Sequence, residues 1–315
     1  MTGLRCLGLD TSNYTTSVAV FDGSSGENIG RLLDVPSGTL GLRQSDALFQ
    51  HVKRLPGLFE QLRGKELLRD LAAVGASTRP RAVDGSYMPC FLAGEGQGRA
   101  LSATLDVPFF PVSHQQGHIA AAAWSAGRMD LLDAPILAWH LSGGTTELLY
   151  VEPEGINVRA QAIGGTSDIS AGQLIDRTGK LLGLDFPAGK ALDALARESQ
   201  SEKRFKVKLN GCSFSLSGVE NQVKALAERG EAPADIARFA LNTIADAVSR
   251  ATAVALEEHP GLSVLCSGGV ASNTLLRERL GGAVFAEPRY STDNAMGVAI
   301  LAWRSLRAGE HVHEK

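Results

Sequence analysis

Apolar residues recur at three- and four-residue steps from Asp235 to Glu258, where Ile236, Ala240, Ile244, Val248 and Ala251 share one face of a predicted helix. His259-Pro260-Gly261 then stops it. The same period runs from Ser45 to Arg63, with Leu48, Val52, Leu55, Phe59 and Leu62 expected inward and Pro56 breaking or kinking the helix. Between helical stretches lie short apolar runs, Leu4 to Leu9, Pro135 to Leu141 and Ser263 to Cys266, that read as strands. Strands alternating with helices predict an α/β architecture.

Two of these strands enter similar turns. Ser12-Asn13-Tyr14-Thr15-Thr16 and Ser142-Gly143-Gly144-Thr145-Thr146 each lead into another apolar strand, Val18 to Phe21 and Leu148 to Val151. Each alone is an ordinary hairpin, whose small polar turn leaves N–H groups that suit a phosphate. Two at a similar place in each half predict a duplicated fold. A third turn, Ser267-Gly268-Gly269-Val270-Ala271-Ser272-Asn273, leads from a strand into a helix and lets a ligand approach the backbone. Gly94-Glu95-Gly96-Gln97-Gly98 has its third glycine one place early for a dinucleotide fingerprint and is read as close helix packing. The expected organisation is a first lobe over residues 1–133, a second over 134–293 with a cleft between them, and a final segment, 294–315, returning to the first. Its end, Arg307 to Lys315, is polar and expected to fray.

The chain's 315 residues, 44% hydrophobic and 21% charged, suit two globular domains and exclude a disordered, collagenous or disulfide-scaffold protein. A formal charge of −3 excludes a broadly basic nucleic-acid binder and leaves room only for a local patch. Arg197, Lys203, Arg204, Lys206 and Lys208, with Glu198 and Glu202 interspersed, form such a run, which serves as a solvated face or a contact to RNA phosphates. Arg79 and Arg81 flank Pro80 in a loop that is either solvated or an anion clamp. Cys6, Cys90, Cys212 and Cys266 form no C-x-x-C pair and suit a reducing compartment. With no apolar stretch of about 18 residues and no apolar leader, a cytoplasmic protein without membrane contact is expected.

His114-Gln115-Gln116-Gly117-His118 places two imidazoles at i and i+4, able to share a metal if the segment is helical. Gln115 stands where a zincin protease carries its glutamate, so that reaction is not expected. The pair is then either two satisfied histidines or two ligands awaiting a third. Asp293 offers the third, although Thr292 or Asp293 equally reads as the N-cap of the last helix. Two histidines and one carboxylate with open positions suit iron or zinc.

These segments occur together in a familiar order. Leu7-Gly8-Leu9-Asp10-Thr11-Ser12, the H-x-x-G-H segment, Ser142-Gly143-Gly144-Thr145-Thr146, Ala171 to Leu184, Phe186-Pro187-Ala188-Gly189, Gly268 to Asn273 and Thr292-Asp293-Asn294 resemble the universal tRNA threonylcarbamoyladenosine transferase family, once labelled glycoproteases. The resemblance covers nearly the whole chain. It implies the two-lobed, actin-like, sugar-kinase-type (ASKHA) fold, a duplicated ribonuclease-H-like architecture around a nucleotide cleft. It also implies an iron or zinc ion on His114, His118 and Asp293 and an adenine nucleotide, threonylcarbamoyl-adenylate or ATP. Leu141, Ser142, Gly143, Gly144, Thr145, Asp176, Gly189, Asp193 and Asn273 would hold the nucleotide, and Asp10, Ser12 and Asn13 would be catalytic. The implied partners are the adenylate substrate and tRNA reached through accessory subunits, with either a related non-catalytic subunit or a second copy as companion.

The chain departs from the family pattern on one side. Asn13-Tyr14-Thr15 replaces a Cys-Asp-Glu run, Gln116 replaces a Glu, Thr145 replaces a His, and Ser217-Gly218-Val219-Glu220 replaces Ser-Gly-Leu-Lys. The metal and nucleotide positions are kept, while the acids that would serve the incoming amine are gone. Three readings follow: an acyl transferase, a catalytically impaired nucleotide- and metal-binding scaffold, and a phosphotransferase on the same fold. The last lacks a catalytic carboxylate for the γ-phosphate in the first lobe.

Overall fold

The computed structural model describes residues 4–12, 14–35 and 42–309. Asn13 and residues 310–315 of the expected final segment lie outside the described residues. Contacts divide the chain into two units. The first comprises residues through Ala134, Glu152–Ala160 and the segment from Asp293, and the second comprises Pro135–Val151 and Gln161–Thr292.

The first unit opens with an antiparallel meander, β1 (Arg5–Asp10), β2 (Thr15–Phe21) and β3 (Gly26–Leu32). Helix α1 (Gln44–Gly64) follows, then β4 (Leu71–Arg79), α2 (Leu92–Leu105), β5 (Phe109–Ser113) and α3 (His114–Ser125). The sheet order is β3-β2-β1-β4-β5, with β4 and β5 parallel to β1. Central β1 is covered on both faces, which explains its near-continuous apolar run. Leu7, Leu9, Val18 and Val20 pack with Leu55, Leu58 and Leu62 of α1.

Helix α1 runs through Pro56, and its inner face differs from the expected one. His51 is buried while Val52 is exposed. The His51 imidazole takes the inward position with its Nδ1 2.8 Å from the Thr16 hydroxyl, while among the described residues its buried Nε2 meets no hydrogen-bond partner.

The second unit repeats the plan with β6 (Ile136–Leu141), β7 (Thr146–Glu154) and β8 (Asn157–Thr166), then α4 (Ala171–Leu181) and α5 (Gly189–Ala196). After them come β9 (Leu209–Asn210), β10 (Cys212–Phe214), α6 (Ser217–Glu228), α7 (Pro233–Glu258), β11 (Ser263–Ser267), α8 (Thr274–Arg279) and β12 (Val284–Phe285). The order β12-β11-β6-β7-β8 mirrors β5-β4-β1-β2-β3, with β10 and β9 added at the β8 edge. Both expected hairpins are present, β1 to β2 and β6 to β7, and the expected duplication is seen. The tip of the β7–β8 hairpin joins the first unit, where Gln116 Nε2 donates to Val158 O at 2.8 Å.

Helix α9 (Met296–Ala308) completes the first unit against β1, β4 and α3. It comes close because the crossing points lack side chains. A Cβ on Gly297 would lie 1.7 Å from Gly117 O, and one on Gly8 would lie 2.5 Å from Ala299 N. This backbone-to-backbone packing fixes Asp293, just ahead of α9, relative to α3. Among the described residues no helix is long and apolar enough to cross a membrane, and the four cysteines are buried and free.

Candidate functional site

In the first unit the site is set by the start of α3. Ser113 is its N-cap and Gln116 its N3 residue. Gln116 N donates to Ser113 Oγ at 3.2 Å, while Ser113 N donates to Gln116 Oε1 at 2.8 Å. This reciprocal cap places His114 first in the helix and His118 one turn later on the same face. Their Nε2 atoms face each other at 2.9 Å, and Asp293 Oδ1 lies 3.5 Å from the first and 3.3 Å from the second. Neither Asp293 nor Thr292 is the N-cap of α9. Ala295 holds that position, and Asn294 Oδ1 accepts from Met296 N.

Asp10, at the end of β1, is 1% exposed and uses both oxygens. Oδ1 accepts from Ser12 N at 2.9 Å, and Oδ2 lies 2.7 Å from His114 Nδ1. Burial alone would raise this carboxyl, but the His114 imidazole beside it brings it below the usual carboxylate range. Burial likewise disfavours a charged His114, yet Asp10 and Asp293 reverse that and hold the imidazole well above its ordinary value. Asp293 is brought well below its ordinary value by His114 and His118, against its burial.

This donor set fits a divalent cation. Two Nε2 atoms 2.9 Å apart need a proton or a cation between them, and the Asp293 carboxylate lies 3.3–3.5 Å from both on that side. With Nδ1–H donating to Asp10, a metal that displaces the Nε2 proton would meet the lone pair a ligand needs. His114, His118 and Asp293 also form the one group of ligand atoms within 4.8 Å of one another found among the described residues.

Of the remaining first-unit positions, Ser12 is buried, and among the described residues its Oγ has no hydrogen-bond partner. Tyr14 is 41% exposed, whereas Thr15 is 8% exposed as the first residue of β2. Gln116 does what a glutamate could do as a cap, and its amide adds the bond to Val158 O that a carboxylate could not donate.

In the second unit a cavity of about 420 Å³ is lined by Gly143, Gly172, Asp176, Gly189, Lys190, Asp193, Gly269 and Asn273 among others. Five of the nine expected nucleotide positions therefore come together. Leu141 is fully buried, and Leu141, Ser142, Gly144 and Thr145 do not line this cavity. The turn they form closes on itself, with Ser142 N donating to Thr145 O at 2.8 Å and Thr145 N to Ser142 Oγ at 3.1 Å. The backbone approaches that build the cavity need glycine. A Cβ on Gly172 would lie 2.4 Å from Gly143 Cα, and Gly268, at φ +94°, would meet Leu141 O at 2.1 Å.

The acids here are partly engaged. Asp176 Oδ1 accepts from Ala188 N at 2.9 Å. Asp193 Oδ1 accepts from Asn273 Nδ2, Thr274 N and Thr274 Oγ1 at 2.6–3.1 Å. The second oxygen of Asp193 faces Arg197 Nε at 4.0 Å. The sequence assigns no role to Lys190, and Gly172 enters its reading only inside the Ala171 to Leu184 motif. A lysine after a glycine and a glycine inside a helix carry no local signal, and only the fold brings them to the cavity.

Comparison with known proteins extends these observations. The family model described as tRNA N6-adenosine threonylcarbamoyltransferase matches residues 42–300. Proteins of that description from Granulibacter bethesdensis and Thermus thermophilus are each 33% identical. They cover 96% and 98% of this chain and 89% and 94% of their own lengths. Among solved structures, full-length HypF in its phosphate- and nucleotide-bound form aligns with TM-score 0.61 at 15% identity. That alignment takes in 99% of this chain and 47% of HypF. The activator of 2-hydroxyisocaproyl-CoA dehydratase from Clostridium difficile with bound ADPNP aligns with TM-score 0.52 at 15% identity over 97% of both chains. At such identities these structures establish the fold, which is the actin-like, sugar-kinase-type fold expected from the motifs. Since the sequence match reaches from α1 into α9 and a third of the positions are shared along nearly the whole chain, the protein belongs to the tRNA N6-adenosine threonylcarbamoyltransferase family, a family of tRNA-modifying transferases.

Proposed function

We propose that this cytoplasmic chain binds one iron or zinc ion and an adenylate donor and transfers a threonylcarbamoyl-type acyl group to a tRNA adenosine, slowly for its family. The observation that carries the reading is the convergence of His114, His118 and Asp293, with Asp10 fixing the tautomer of His114. In the second unit Asp176, Asp193 and Asn273 would take the ribose and the glycine turns the phosphate. When bound, the metal would supply Lewis-acid polarisation of a donor oxygen.

The transfer forms a bond from the adenosine N6 to the acyl carbon and breaks the acyl carbon–phosphate oxygen bond, releasing AMP. The N6 amine must also lose a proton. Tyr14 offers a phenol and Thr15 a hydroxyl, and neither replaces a carboxylate as a base. General acid–base help is worth about 10²–10⁴-fold, so its loss predicts a slow enzyme. The replaced acids equally favour a second reading, a scaffold that keeps the ligands without the reaction.

Single-turnover transfer to tRNA, run with the same accessory proteins for wild type, Tyr14→Asp and His114→Ala, tests the proposal. Slow transfer by wild type, abolished in His114→Ala, supports it. Full-speed transfer refutes the impairment, and none at all in wild type and in Tyr14→Asp leaves the scaffold reading.

A further inference from the structure

Residues 201–208 run from the end of α5 toward β9 without regular structure, yet they are tied down along their whole length. The ties come from one polar stripe on α7, spaced Arg238, Asn242, Thr243, Asp246 and Arg250. Ser201 O accepts from Arg238 Nε at 3.2 Å and Asn242 Nδ2 at 2.9 Å. Arg204 Nε donates to Asp246 Oδ1 at 3.0 Å, and Phe205 N donates to Thr243 Oγ1 at 3.0 Å. Val207 O accepts from Arg250 Nη2 at 2.6 Å. The four-residue spacing puts these groups on one helix face. Asn242, Thr243 and Asp246 are buried, so α7 commits buried polar groups to hold an irregular strand in one conformation.

What the strand presents outward is positive. Lys203, Lys206 and Lys208 are exposed, and among the described residues no ion pair engages them. Beneath them Asp246 meets three guanidinium groups, those of Arg204, Arg250 and Arg279 at 3.0, 2.8 and 2.7 Å. One carboxylate cannot neutralise three cations, and each arginine side chain keeps about a third of its surface exposed. The nearby acid Glu202 faces Arg238 at 3.5 Å. Between Arg204 and Lys206 stands Phe205, 37% exposed.

We infer that this strand is a docking strip for the sugar-phosphate backbone of RNA. The inference rests on the tRNA-acceptor reading and adds the surface that would hold the acceptor. Five residue steps separate Lys203 from Lys208, a span of at most ~18 Å, which reaches several backbone phosphates. Lysines act there as point charges, arginines as forks for phosphate oxygens, and an exposed aromatic ring between cations offers a stacking face for an unpaired base. The ring favours RNA over an acidic protein face, because every nucleobase offers a flat face to stack on it. Preorganisation by α7 means little order is lost on binding.

The test is a titration of the full chain with full-length unmodified tRNA at several salt concentrations. Wild type is compared with the triple variant Lys203→Ala, Lys206→Ala, Lys208→Ala and with Phe205→Ala. The exposed side chains leave the fold intact, which an unchanged thermal melt verifies. Each lost phosphate contact flattens the slope of log affinity against log salt by about 0.9, so the triple variant should lose about 2.7 of slope and about tenfold or more in affinity at low salt. Poly-glutamate should compete far less well than RNA. Equal tRNA affinity and slope in wild type and triple variant overturns the strip, as does preference of wild type for poly-glutamate, which would assign the strip to an acidic protein. Measured transfer separates the two ideas. Wild type that binds tRNA through the strip but never transfers fails the acceptor reading alone, whereas equal transfer efficiency by the triple variant fails the strip alone.

Discussion

Replacing Asp10 by Asn should weaken metal retention although Asp10 is not among the three ligands. The carboxylate accepts two hydrogen bonds at once, from Ser12 N at 2.9 Å and from His114 Nδ1 at 2.7 Å. An asparagine cannot repeat both. With its oxygen toward Ser12 N–H, its amide nitrogen donates to His114 Nδ1, which moves the ring proton to Nε2 and removes the lone pair the ion needs. With its oxygen toward His114, two donors meet at Ser12 in a site only 1% exposed. Either way one charge-assisted bond is lost, worth about 1.5–3 kcal/mol. Loss of an outer partner of a metal-bound histidine typically weakens binding about 10–100-fold, or about 1.4–2.7 kcal/mol, so the two magnitudes agree. Competition of purified protein against a chelator, with iron and zinc each tested, measures the loss. Nitrogen-15 shifts of His114 report the tautomer independently of activity. Unchanged metal affinity together with an unchanged tautomer in Asp10→Asn would refute the reasoning.

Three further outcomes follow from particular contacts. Burial pulls the His51 imidazole down to about 4 from an ordinary 6.5, so the unfolded chain takes up its proton first as pH falls. Stability from this group is full above pH 6.5 and is lost toward pH 4, by roughly 3 kcal/mol, and urea melts of His51→Gln should lack that component. An identical pH dependence in the variant would contradict the assignment. Lys190→Ala should leave adenosine affinity unchanged but weaken ATP about fivefold, ~1 kcal/mol for an exposed cation–phosphate pair, because Lys190 is the lone cation among the described residues lining the second-unit cavity. Equal loss for both ligands by calorimetry would assign Lys190 to packing instead. Gly297→Ala should destabilise by about 3 kcal/mol, since its Cβ would sit 1.7 Å from Gly117 O, whereas Gly57→Ala in open space on α1 should gain up to ~1 kcal/mol. Denaturant midpoints decide this, and similar values for the two variants would count against the backbone crossing.

Features that repeat locally were legible in the sequence. The two hairpins, the long α7 and the i, i+4 histidines each declare themselves within a few residues. Features set by a distant partner were not. His51 and Val52 are adjacent on a helical face, and only Thr16, 35 residues away, makes the histidine the inward one. Asp293 has the composition of a cap, and only the Gly117–Gly297 crossing aims it at His114 and His118 instead. Gln116 reads as a lost acid until the Ser113 cap and Val158 give its amide both an acceptor and a donor role. The basic run at Lys203 to Lys208 is visible as charge, but the α7 stripe that holds it still is spread over residues 238–250.

Asp10, the partner of His114, and the replaced acids sit within a few residues of one another, and the structure treats them differently. Asp10 is locked by two bonds, and His114 is fixed by a capped helix. A change at either removes a buried partner, so folding itself resists their loss and metal binding alone does not distinguish a transferase from a scaffold. The turn after Ser12 is under weaker restraint. Tyr14 is 41% exposed, and its backbone carbonyl accepts from Leu33 N at 2.8 Å. Thr15 is 8% exposed and paired with Leu32 across the sheet. A carboxylate at position 14 therefore stays hydrated, whereas a glutamate at 15 is desolvated unless a cation answers it. Tyr14→Asp should keep the wild-type denaturation midpoint, while Thr15→Glu should lose about 1–3 kcal/mol. If an acid in this turn is what transfer lacks, Tyr14→Asp alone should raise the single-turnover rate by about tenfold or more toward the 10²–10⁴ that acid–base help supplies. A stable Tyr14→Asp protein that keeps its metal and gains no rate would show that the defect lies elsewhere than this turn.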